Sequence, residues 1–183
     1  MNKLVKKVLA GVIAGTMMLG SVCTAFAATG SATEAPAPEK HEAVKAENGS
    51  KVNTSASGKA TVTSIKKTNK KEVSISSKVV VDGVKYTVTK IEAKTFANAP
   101  KATKVTLPST ITSLGAQAFT GAKSLKTIVI KSTKAVKVNK DAFKGVNTKK
   151  MTIKVTSMSK KELKAFKKQL KKAGFKGTVK LVK

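Results

Sequence analysis

The sequence predicts a short, mixed α/β repeat solenoid, and three observations predict it. Residues 87–155 of the 183-residue chain read as one unit written three times, with Phe96, Phe119 and Phe143 at spacings of 23 and 24 residues. Ile91, Leu114 and Val138 stand five residues before these rings, and Asn98, Gly121 and Gly145 two residues after them. Each copy then closes on an alternating apolar pair: Val105/Leu107, Ile128/Ile130 and Met151/Ile153. A unit this short cannot bury its own apolar face, so neighbouring copies must stack to make a continuous core.

A fixed period of roughly 20–29 residues with such anchors marks the leucine-rich-repeat type of solenoid. In chain order, the first segment has the form of a secretory leader. Lys3, Lys6 and Lys7 precede the apolar run Val8 to Leu19, and Ala25-Phe26-Ala27 offers a cleavage site before Ala28. The run falls short of the ~20 residues that span a bilayer, so no transmembrane segment is expected in the mature chain. Cys23 is the only cysteine and lies inside this leader, which leaves the mature protein without disulfides. Residues 28–58 are rich in small and polar types and are expected to be a disordered tether. From Lys59 to Thr89 an N-terminal β cap is expected. Lys59 to Ile65 and Glu72 to Ser76 alternate as strands, and Asp82-Gly83 sits between β-branched runs as a type I′ hairpin turn.

The three repeats occupy 87–155. Lys94-Thr95-Phe96, Gln117-Ala118-Phe119 and Asp141-Ala142-Phe143 are expected to form single helical turns, and the closing pairs to lie on strands. Residues 156–183 make a C-terminal helix–strand cap. Ser159 and Glu162 have capping-box spacing, Met158 and Leu163 that of a hydrophobic staple. Leu163, Phe166 and Leu170 form one apolar stripe, Gly174 suits the helix end, and Thr178 to Val182 alternates as a last strand.

These repeats resemble the BspA-like leucine-rich repeats of secreted bacterial surface proteins. That pattern runs as an Ile-Gly pair, a gap, Ala-Phe, Gly-Cys, Leu, then an Ile-x-Ile-Pro strand. It is matched here by Leu114-Gly115, Ala118-Phe119, Gly121, Leu125 and Ile128 to Ile130, with Leu107-Pro108 supplying the proline. Glu92 and Asn139 replace the Gly that would suit a left-handed turn, and Ala99, Ala122 and Val146 replace the Cys. The resemblance implies extracellular or surface placement, a role in binding such as adhesion to host or community proteins, and no shared catalytic motif.

The residues themselves offer little to chemistry. The single histidine, His41, lies in the expected tether, and the domain from Lys59 onward has no cysteine. No catalytic constellation, cofactor or metal site is therefore expected. Glu92 and Asp141 could face one another across repeats, but solvated turn residues are the ordinary reading of such a pair. Leu107-Pro108-Ser109-Thr110 resembles the start of a sorting signal, but sits inside a repeat.

What remains is charge. The stretch 59–183 holds 31 lysines, no arginine and five acids, a formal +26. Such a surface attracts polyanions through salt-screened fields. The leader and the few aromatics argue against a specific nucleic-acid partner. Self-repulsion argues for a monomer. The expected function is a secreted, non-catalytic module binding an extracellular protein or an anionic wall polymer. The alternative is a wall-associated spacer held by charge alone. If the apolar pairs face inward, their neighbours form an outward strand face, and its candidate ligand-binding residues are Lys104, Thr106, Thr127, Lys131, Lys150, Thr152 and Lys154.

Overall fold

The computed structural model describes residues 37–182. The leader expected at 1–27, and the first part of the expected tether, lie outside the described residues. In chain order the strands are β1 (Val44–Lys45), β2 (Lys51–Thr54), β3 (Lys59–Ser64), β4 (Glu72–Ser74), β5 (Lys78–Val81), β6 (Val84–Ile91), β7 (Lys104–Leu107), β8 (Ser113–Leu114), β9 (Thr127–Ile130), β10 (Lys137–Val138) and β11 (Thr152–Val155). The helix α1 (Lys160–Lys172) and the strand β12 (Thr178–Leu181) end the chain.

The strands form two sheets. Sheet 1 runs β1-β2-β3-β6-β8-β10, with β5 paired to β6. Sheet 2 runs β4-β7-β9-β11-β12, and all its pairings are parallel. Each coil contributes one strand to each sheet, which is what a fixed sequence period of this length produces. Val105, Leu107, Ile128, Ile130, Ile153 and Val155 point inward from sheet 2, and Ile91 and Leu114 from sheet 1, all 0–1 % exposed.

Between the sheets the repeat phenylalanines form a ladder. Phe96 stacks on Phe119 with ring centroids 5.2 Å apart and planes within 4°. Phe119 stacks on Phe143 at 5.4 Å and 6°. Phe175, which follows the helix, closes the column against Phe143 at 5.1 Å with a tilt of 53°. The Cys-place residues Ala99 and Ala122 are buried, and Val146 packs against the same core.

The turns before the rings are not helical. Lys94, Gln117 and Asp141 take left-handed backbone conformations, with φ of 57°, 55° and 60°. This costs on the order of 1 kcal/mol per residue. It aligns a ladder between coils: the Lys94 amide donates to the Gln117 carbonyl at 3.0 Å, and the Gln117 amide to the Asp141 carbonyl at 2.9 Å. The left-handed residue thus falls two positions after the Gly place. Gly115 is there for a different reason. A Cβ on it would stand 3.0 Å from the backbone of Ile91, Glu92 and Ala93 in the preceding coil.

Two expected boundaries move. Residues 28–58 do not behave as one tether, because the sheet begins at Val44. Ala46 and Val52 are buried, and β2 pairs with β3. The Thr54 hydroxyl donates to the Glu39 carbonyl at 2.7 Å, and the His41 amide donates to the Thr54 hydroxyl at 2.9 Å. Small residues misled here: Ala and Thr suffice for a thin edge, with Val52 buried and Val44 packed against the core as its larger anchors. The strands β3 and β4 also differ from a simple cap. β3 pairs parallel with β6 and β4 with β7, so residues 59–76 are a further coil that lacks the Phe motif. The hairpin at Asp82-Gly83 is as expected, with φ of 49° and 79°.

At the other end α1 takes the place of a sheet 1 strand. The Ser159 hydroxyl accepts the Glu162 amide at 3.2 Å. The Glu162 carboxylate does not return to the cap, and accepts the Ala135 amide at 2.7 Å instead. Gln169 accepts the Val138 amide at 3.0 Å. Two helix side chains thereby satisfy backbone donors that a following strand would have met. The helix ends on Gly174 (φ 80°), with the Phe175 amide reaching the Leu170 carbonyl and the Gly174 amide the Lys171 carbonyl, a Schellman pattern.

Candidate functional site

The register of sheet 2 places the outward residues in rows across the coils. One row is Glu72, Lys104, Thr127, Thr152 and Thr178. The next is Ser74, Thr106, Val129, Lys154 and Lys180. Neighbours within a row stand about 4.8 Å apart along the solenoid. Of the seven candidate residues, Lys104, Thr106, Thr127, Thr152 and Lys154 share this face. Lys131 stands one step beyond the end of β9, at the rim; its amide donates to the Leu107 carbonyl. Lys150 is not on the face. It belongs to a 3-10 turn, Thr148–Lys150, that precedes β11.

That turn also corrects the third repeat. Met151 and Ile153 are both buried, as expected, but register pairs Ile153 with Ile128 and Val155 with Ile130, so the pair equivalent to those of the earlier repeats is Ile153/Val155. Ile153 stands ten residues after Phe143, where Ile128 stands nine after Phe119. The run Met-x-Ile-x-Val allows either phase by alternation alone, and the extra residue in the connection decides it. Lys180 is the face residue that sequence reasoning missed. Its signal was present, because Thr178-Val179-Lys180-Leu181 repeats the pattern of Thr152-Ile153-Lys154-Val155.

Charge on the face is unevenly compensated. The Lys104 ammonium lies 3.2 Å from the Glu72 carboxylate. Lys154 and Lys180 are directly paired neighbours, and their row carries no acid. Like charges set side by side on adjacent strands repel. Both are exposed.

Other possibilities raised by the sequence are not brought together. Glu92 and Asp141 belong to the first and third repeats, with the second between them. The Leu107-Pro108-Ser109-Thr110 corner is built into the fold: Leu107 is buried and the Thr110 hydroxyl donates to the Val88 carbonyl at 2.6 Å. His41 lies 3.9 Å from Glu39. Among the described residues no group of three or more His, Cys, Asp and Glu side chains could hold a metal ion. Among them, too, no helix is long and apolar enough to cross a membrane.

This geometry, coils of two strands with a Phe column and a helix-closed end, defines a leucine-rich-repeat protein. The family model described as "BspA type Leucine rich repeat region (6 copies)" matches residues 89–183, and the chain belongs to that family. No curated protein sequence matches the chain. Among solved structures, a leucine-rich repeat protein from Bacteroides capillosus is similar at 20 % identity and a TM-score of 0.54, over 81 % of this chain and 100 % of that one. A leucine rich cell surface protein from Faecalibacterium prausnitzii is similar at 24 % identity and a TM-score of 0.45, over 69 % of this chain. The match spans 34 % of that protein's length.

Proposed function

We propose that this protein is an exported, non-catalytic binding module that acts at the bacterial cell surface and engages an anionic wall polymer through the outward face of sheet 2. The observation that carries the reading is the Lys154–Lys180 pair, two ammonium groups in one row with no acid beside them. A polyanion that tracks the rows relieves this repulsion, and the threonines Thr106, Thr127 and Thr152 supply hydroxyls between the charges. A polymer fits the face better than a folded protein does. Protein interfaces centre on buried aromatic and large apolar anchors. The only apolar member of these two rows is Val129. Family membership supports a binding role at the surface, and the leader-like first 27 residues support export.

The test is retention on purified cell walls, intact or stripped of teichoic acid, across a salt series. A face triple, Lys104→Gln/Lys154→Gln/Lys180→Gln, is compared with a control triple, Lys134→Gln/Lys140→Gln/Lys144→Gln, that removes equal charge from the turns. The face triple is expected to cut low-salt retention at least tenfold more than the control. Equal losses would replace the reading with a spacer held by total charge.

A further inference from the structure

The two ends of the solenoid are finished differently. Sheet 1 ends under α1, where Glu162 and Gln169 accept the amides of Ala135 and Val138. Among the described residues, sheet 2 ends on β12, which pairs only with β11. The amides of Thr178 and Val182 donate to the carbonyls of Met151 and Val155. By strand alternation Val179 and Leu181 therefore turn their amides and carbonyls away from the protein.

Four further observations gather at this edge. Val179 and Leu181 continue the inward rows of sheet 2, and among the described residues no further strand covers them. Leu181 and Val182, 40 % and 38 % exposed, are the exposed large apolar side chains among the described residues. Between α1 and β12 lies an open groove of about 390 Å³, floored by Leu170, Phe175 and Val179 and rimmed by Lys167, Lys171 and Lys176. The chain after Glu162 contains eight lysines and no acid.

We propose that the β12 edge is a docking site for an extended acidic peptide with alternating apolar residues, which adds a sixth parallel strand to sheet 2. The ladder forms on the outward amides and carbonyls of Val179 and Leu181. Alternate apolar side chains of the peptide cover Val179 and Leu181 and enter the groove. The intervening acidic side chains continue the outward rows beside Lys180 and meet the lysine rim. Charge selects this occupant over a second copy of the chain. The opposite end of sheet 2 opens beside Lys66, Lys67 and Lys70, with Glu72 as the one acid; Glu72 is paired with Lys104, so head-to-tail stacking would set a surplus of lysines against lysines. The same lysines that guard the edge from self-association favour an acidic strand. The backbone ladder is separate from polymer binding, which uses side chains on the sheet face; Lys180 is the one residue the two share.

The probe is a fluorescein-labelled (Glu-Val)4 peptide titrated into the full chain at about 50 mM salt and read by anisotropy. Two N-methylated forms, one methylated at every Val and one at every Glu, block the ladder in opposite phases. Binding is expected for the parent peptide and is at least tenfold weaker for one methylated form only. Leu181→Pro removes an outward donor that makes no bond in the fold, and is expected to weaken binding at least tenfold with an unchanged thermal melt. Equal binding of all three peptides would overturn the proposal in favour of simple charge attraction. So would absence of binding. Sedimentation showing self-association that Leu181→Pro abolishes would assign the edge to a second copy and overturn it too.

Discussion

Replacing Phe119 by leucine tests whether the aromatic column acts as a ladder or merely fills space. Phe119 is fully buried and sandwiched, with Phe96 at 5.2 Å on one face and Phe143 at 5.4 Å on the other. Leucine keeps most of the apolar body but ends both stacks. An aromatic pair adds about 0.5–1.5 kcal/mol beyond its buried area. Phe119→Leu therefore loses about 1–3 kcal/mol of stacking, on top of the volume lost in any Phe→Leu change. Phe96→Leu makes the same change at a site with one stacked ring, and loses about half as much. The two variants should differ by about 1 kcal/mol. With a urea dependence of about 2 kcal/mol per molar, their midpoints should differ by roughly 0.5 M. Urea unfolding followed by far-ultraviolet circular dichroism measures this directly, and an unchanged slope certifies the comparison. Equal midpoints, or a lower one for Phe96→Leu, would refute stacking as a distinct contribution and leave only burial.

Three more outcomes are expected. Gly121→Ala puts a Cβ at φ 93° and 2.7 Å from the Ala97 Cα. It should cost more than about 3 kcal/mol because coils must separate. Gly145→Ala meets only the Thr120 side chain at 3.4 Å and should cost about 1–2 kcal/mol from backbone strain. The two thermal melts rank them. Gln169→Leu strands the Val138 amide; a loss of about 1 kcal/mol is expected, and hydrogen exchange at Val138 should accelerate while that at Ile128 does not. Val52→Asp places a charge at a fully buried site of β2, and should cost on the order of 3 kcal/mol or more. A melt like that of the parent chain would return residues 44–54 to the status of a tether.

The sequence made the repeats plain because Phe, Gly and the paired aliphatics recur at positions that stacking requires, and each substitution there meets a neighbouring coil. The α1 cap was equally plain, since a helix stop and an apolar stripe are local signals. Two features escaped for physical reasons. The coil at 59–76 is held by parallel backbone pairing with β6 and β7, which demands no particular side chain, so no motif advertised it. The left-handed residues are Lys94, Gln117 and Asp141, three unlike side chains whose conformation is compensated by hydrogen bonds between coils. Of the candidate face, alternation found Lys104, Thr106, Thr127, Thr152 and Lys154. Lys150 was misassigned because a one-residue lengthening of a connection leaves no compositional trace.

The ladder of left-handed residues makes each coil a module of length. Every step forward repeats three joints: a ring on a ring, an amide on a carbonyl at the left-handed turn, and a strand on a strand in each sheet. A coil duplicated between β9 and β11 would meet the same three joints on both sides and disturb neither finished end. Each such insertion would advance the protein by about 4.8 Å and add one residue to every outward row. Reach and valency along sheet 2 would grow in proportion to coil number, while both ends stayed as they are.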